Sequence, residues 1–151
     1  MEQLPLFSAT NNALPPEAQL HNVRQLEDAL LQQPQIEIPV EQLVHAGIYA
    51  RTIFIPAGVA LTGALINVDN VCVVSGDITV TTDDGPKRLT GFNVLKASAG
   101  AKRAGFTHAD TWWTMIYPTD LADISDIENA MTDEADRLQS RKTGVTPQCL
   151  Q

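Results

Sequence analysis

The chain has 151 residues, 44% of them apolar, a length that suits one domain with short additions around a single core. It has no run of eighteen uncharged apolar residues and no basic-plus-apolar start, so we expect neither a membrane span nor a secretion signal, but a protein used in a cytoplasm. The net charge of −8 falls on the flanks, with six acids against one base in residues 1–50, and the one small basic cluster, Lys96, Lys102 and Arg103, is too slight for nucleic-acid binding.

Residues 1–14 are polar and aperiodic apart from Leu4-Pro5-Leu6-Phe7, and read as an arm without a core of its own. A helix is expected over 15–33. Pro15-Pro16 suits its start, and Leu20, Val23, Leu26, Leu30 and Leu31 form one apolar stripe that ends before Pro34. Such a helix either caps a barrel or packs on a partner.

From 35 to 118 the pattern changes to short β-branched runs: Ile36–Val40, Ile48–Ile55, Ala60–Ile66, Val71–Val74, Ile78–Thr82, Arg88–Leu89, Phe92–Leu95 and Thr111–Tyr117. Even spacing of this kind predicts an antiparallel sandwich or barrel. Asp83-Asp84-Gly85-Pro86 predicts a hairpin turn, because Asp and Gly tolerate left-handed backbone and Pro fixes φ. Cys72 lies in an apolar run and reads as a small buried residue, and with only Cys149 beside it there is neither a disulfide framework nor a zinc site.

Residues 119–142 return to helical spacing, with Ile124, Ile127, Met131, Ala135 and Leu138 as the apolar stripe. Thr119 or Asp120 is the expected N-cap, and Ser125 with Glu128 has capping-box spacing. Thr132-Asp133-Glu134 offers an equal start for a second helix after a break. Residues 143–151 form an aperiodic tail.

The turn framework of the middle segment is Ile55-Pro56-Ala57-Gly58, Val73–Val80 with Gly76, Gly91-Phe92 and Ser98-Ala99-Gly100. Over about half the chain this framework resembles the cupins, in which one motif joins a glycine, a His-x-His pair, a glutamate and a second glycine, and another joins Pro-x-Gly to a histidine. Gly58 and Gly76 match the two glycines, and Ser98-Ala99-Gly100 stands where Pro-x-Gly would be. Counting back from Gly76 puts Asp69 at the glutamate and Thr62 and Ala64 at the histidine pair. Counting forward from Gly58 puts that pair on Ala64 and Ile66, and the last histidine falls on Arg103. The resemblance implies a mainly β fold, a cupin-like antiparallel β-barrel or jelly-roll with flanking N-terminal and C-terminal α-helices. One carboxylate and a repelling guanidinium do not make a divalent-metal site, so no metal and no other cofactor is expected.

Catalysis is not expected either. His108-Ala109-Asp110 has the spacing of an acid/base pair, but no nucleophile, second carboxylate or phosphate-binding loop completes a mechanism. Trp112-Trp113 in a regular strand would point to opposite faces, one into the barrel and one outward as an interface anchor or a surface for a flanking helix to cover.

The barrel, the Leu-rich helix and Met131–Asp136 together are similar to small cupin-like proteins of tailed bacteriophages. That likeness implies a non-enzymatic virion accessory or structural protein, a capsid decoration or a tail or connector component. Such a protein would be assembled in the bacterial host cytoplasm, self-associate as a homo-oligomer and contact other phage structural proteins. The interface candidates are Leu4, Leu6, Phe7, Leu20, Val23, Leu26, Leu30, Trp112 and Trp113. The alternative is a metal-free cupin binding a small anionic ligand at Arg51, Arg103 and His108.

Overall fold

The computed structural model describes residues 16–142. Helix α1 spans Pro16–Leu31. Pro34 ends its propagation, and the Gln35 amide donates to the Leu30 and Gln33 carbonyls, both at 2.9 Å, covering acceptors that a helix end leaves bare. Seven antiparallel strands follow: β1 Val40–His45, β2 Ile48–Ile55, β3 Ala60–Thr62, β4 Asn70–Thr82, β5 Gly85–Ala97, β6 Ala104–Thr107 and β7 Thr111–Pro118. They form one sheet in the order β1-β2-β7-β4-β6-β3, with β5 along the other side of β4. Helices α2 (Ile124–Met131) and α3 (Gln139–Lys142) complete the described chain, joined through a 3-10 turn at Ala135–Arg137.

β4 explains how one sheet can enclose a core. Its first half, Val71–Ser75, pairs with β7, and its second half, Ile78–Val80, pairs with β6, while β5 follows it along both halves. At the change of partner Gly76 stands directly opposite Gly91. Gly76 has φ +147°, and a Cβ there would meet the Asp110 carbonyl at 2.6 Å and the Thr111 hydroxyl closer still. Thr111 is fully buried, and its Oγ1 accepts from the Asp77 amide at 3.1 Å. Only glycine lets the 109–111 turn press on the strand here, and the sheet bends at that point.

Two apolar clusters fill the curled sheet. One joins Ile55, Cys72, Val74, Ile78, Val80 and Leu89, with Leu61 and Trp113 against it. The other brings Ile127, Met131, Ala135 and Leu138 of the helical segment onto Tyr49, Met115 and Tyr117. The stripe expected over 119–142 is therefore the face that packs.

Several boundaries differ from those expected. The expected runs at 71–74 and 78–82 are a single strand, as are 88–89 and 92–95, because the facing glycines bend the pair without breaking its ladder. β1 begins where the run Ile36–Val40 was expected to end, and continues to His45. β6 has little β-branched sequence and forms because its ladder partners on β3 and β4 hold it. The helical region starts at Ile124 rather than Thr119 or Asp120. Asp123 is its N-cap and accepts from the Asp126 amide at 3.0 Å, while the Thr119 hydroxyl accepts from Leu121. Glu128 does not close a capping box but turns inward, and Thr132 in extended conformation breaks the helix.

The hairpin is as expected. Thr82 pairs with Gly85 around Asp83-Asp84, and Gly85 has φ +102°.

Candidate functional site

The inward side chains follow from strand alternation. β2 contributes Arg51, Ile53 and Ile55, β7 contributes Trp113 and Met115, and β4 contributes Cys72, Ile78 and Val80. Leu61 and Gly105 face them from β3 and β6. A Cβ on Gly105 would stand 3.0 Å from Ile78 Cδ1, so the missing side chain keeps space open. The last turn of α1 and the segment after it, with Leu30, Leu31, Pro34 and Ile36, lean over the opening, and Met131 and Leu138 approach from the helical segment. The result is a cavity of about 440 Å³ with mainly apolar walls, within the roughly 300–1,000 Å³ typical of small-molecule sites.

The charged groups at its margin are unequally neutralised. Arg51 is buried, and its guanidinium donates to Glu128 Oε2 at 3.1 Å, to Gln42 Oε1 at 3.3 Å and to Tyr49 Oη at 3.4 Å. Glu128 also takes Arg141 Nε at 3.0 Å and the Ser140 hydroxyl, so the Arg51 charge is balanced within the protein. Burial pushes the Tyr49 phenol up, partly offset by the Arg51 charge, and it pushes the Tyr117 phenol up to about 12, with Tyr49 adding to it.

Lys102, its side chain sealed from solvent, lies between Glu27 at 2.8 Å and Glu134 at 2.7 Å and donates to the Gly63 carbonyl at 2.8 Å. This group joins α1, the barrel wall and the segment before the 3-10 turn. Burial pushes the Glu27 carboxyl up, but Lys102, with Thr62 and Arg137, outweighs it and holds the group below the usual carboxylate value.

Arg103 is different. It donates to the Thr81 carbonyl at 2.8 Å, and its carboxylate partner Asp83 is 3.5 Å away and half exposed. Its charge also reaches the interior. Burial pushes the Cys72 thiol up, an effect that Trp113 and Arg103 partly offset. Arg103 is thus a cation at the cavity margin whose carboxylate partner is half exposed and at the long end of ion-pair distance.

The sequence-predicted residues separate accordingly. Arg51 and Arg103 both line the cavity, but Arg51 is committed to Glu128. His108 is not brought to them: it is exposed on the outer side, its Nε2 2.8 Å from Thr79 Oγ1. Asp110 does not orient it, because that carboxylate accepts from the Ala57 amide at 3.0 Å. Trp113 turns inward and Trp112 outward, where it lies 4.9 Å from Phe54, centroid to centroid. Val23 is fully buried within its own chain, which makes it core rather than interface, and Leu20, Leu26 and Leu30 are half-buried. Leu4, Leu6 and Phe7 lie outside the described residues.

The cupin metal positions hold no convergent donors. The Thr62 hydroxyl donates to Glu27, Asp69 accepts from the Ala99 amide at 2.8 Å, and Arg103 carries a positive charge. Among the described residues no three His, Cys, Asp or Glu side chains converge, and these groups do not fit a divalent ion. Sequence reasoning missed the buried Lys102 and Glu128 and the half-buried Glu27 and Glu134 as ion-pair members. A signal existed for Glu128, which falls on the buried side of a helix between Ile127 and Met131.

No family model matches the sequence, and no curated protein matches it. Solved structures do resemble it in shape. A protein from Photorhabdus luminescens is 8% identical at a TM-score of 0.48, over 57% of this chain and 78% of that one. An RmlC-like cupin family protein with a double-stranded β-helix fold from Methanocaldococcus jannaschii is 16% identical at 0.45, over 58% and 85%. The Cupin_2 domain of an XRE family transcriptional regulator from Enterobacter cloacae is also 16% identical at 0.45, over 55% and 99%. The fold of this chain is mainly β, a curled antiparallel half-barrel with helices flanking its strands.

Proposed function

We propose that the protein is a non-catalytic binding protein that holds a small molecule with an apolar body and one anionic group inside the curled sheet. The observation that carries this reading is the cavity of about 440 Å³, apolar on its walls and flanked by one incompletely paired cation, Arg103. Burying the apolar body drives association, and the guanidinium fixes which end of the ligand stays at the margin. Arg51 serves the fold instead, joining the helical segment to the strands and leaving the ligand to Arg103. The test compares decanoate with decanol, read by fluorescence of the inward Trp113. Arg103→Met is expected to weaken decanoate by about tenfold and decanol by less than about twofold. Equal weakening of both, or no binding of either, contradicts the reading.

A second reading is favoured by the apolar outer face that includes Phe92, Val94 and Trp112, exposed among the described residues. It is the accessory role in a phage particle that the sequence resemblance implies, acting through contacts with other copies and with virion proteins. Retention of the chain on purified particles at high salt would support it.

A further inference from the structure

The five-stranded half of the sheet, β1-β2-β7 with the first half of β4 and the second half of β5, has an outer face that no described part of the chain covers. The ladders fix what lies on it. Leu43 stands beside Ala50, Ala50 beside Ile116, Ile116 beside Val71, and Val71 beside Lys96. In the next row Thr52 and Thr114 bond each other through their hydroxyls at 2.7 Å, which satisfies one donor and lowers their demand for water, and Val73 and Val94 continue the row. The third row holds Phe54 packed at a tilt against Trp112, then Ser75 and Phe92. Phe92 is 71% exposed and Val94 60%.

Two rows across five strands and a third across four cover roughly 450 Å² in plan. That is near the upper end for an apolar patch on a monomer and approaches the ~600–800 Å² per partner of small specific interfaces. Within these rows the formal charges stand at opposite margins, Glu41 on β1 and Lys96 on β5.

We propose that this face binds a second copy of the same chain, sheet on sheet, about a two-fold axis running along the strands. That axis lays β1 of one copy over β5 of the other. It brings the Glu41 margin of one copy over the Lys96 margin of the second, the two charges one row apart along the strands and within reach of long side chains, and repeats the arrangement at the other edge. A self-complementary patch with one acid and one base at opposite edges is what an isologous contact requires. A partner of uniform charge would meet a repelling group at one margin. The inference does not depend on the cavity, which opens on the other side of the sheet.

Sedimentation equilibrium at micromolar concentration tests it. The wild type is expected at twice the chain mass of 16.4 kDa. Val94→Glu is expected to give a monomer with unchanged circular dichroism. Glu41→Lys and Lys96→Glu should each weaken the dimer by about tenfold, and the double variant should restore it. A monomeric wild type, or a folded Val94→Glu that dimerises as tightly as the wild type, overturns the proposal. A double variant no tighter than the single ones overturns the two-fold arrangement, and this readout stands even if Val94→Glu fails to fold.

Discussion

Gly76 shows how much of the architecture rests on one missing Cβ. The 109–111 turn lies against its backbone, its φ is positive, and the strand changes partner there. Gly76→Ala is therefore expected to cost about 3 kcal/mol or more in urea unfolding, since neither backbone can give way cheaply. Gly91→Ala, with nothing near its Cβ position, should cost less, so equal costs would sink the argument. Glu27 makes a separate claim at the same scale. Its folded pKa is depressed, so its contribution to stability is present above the unfolded value of about 4.3 and is lost as pH falls through the lower folded value. The stability difference between the wild type and Glu27→Gln should therefore shrink as pH is lowered from about 5 through the carboxylate range. A difference that stays constant across a pH series of urea melts would contradict it.

Among the elements, the helices matter through what they hold. Helix α1 was legible from its leucine spacing, and its packing shows in the burial of Val23 and in the Thr62–Glu27 and Lys102–Glu27 contacts. Its partners were not legible. Lys102 read as one of three surface bases, because a sequence does not say that two carboxylates distant along the chain will converge on an ammonium. Lys102→Met should leave Glu27 and Glu134 facing each other without the buried ammonium they share, with Arg137 and Arg24 left at their outer sides, at a cost of about 3 kcal/mol. Urea melts that show a cost below about 1 kcal/mol would mean that the group is no more than a surface pair. The strands were legible in part. β2 and β7 carry strong β-branched and aromatic patterns, whereas β6 is a strand only because of its neighbours. The single long β4–β5 ladder was hidden because Gly76 and Gly91 look like stops in a sequence and act as a bend in the sheet.

For the molecule as a whole, the turn glycines and even strand spacing pointed to an antiparallel β-barrel or jelly-roll with flanking helices, and the chain is mainly β, one curled antiparallel sheet flanked by helices. The cavity was less legible, because its size depends on the small residues Ala60, Ala64, Ala101 and Gly105 and on how the segment after α1 leans. Of the three ligand-binding candidates, Arg103 alone combines a place on the cavity with an incompletely paired charge; Arg51 is consumed by Glu128 and His108 faces away. Calorimetric titration of decanoate into the purified chain at several temperatures tests the central claim most directly. One saturable site per chain is expected, with a binding enthalpy that becomes more favourable on warming as apolar surface is buried, and with loss of binding when Leu61→Trp fills the cavity. Absence of saturable heat, or binding undiminished in a folded Leu61→Trp variant, would contradict it.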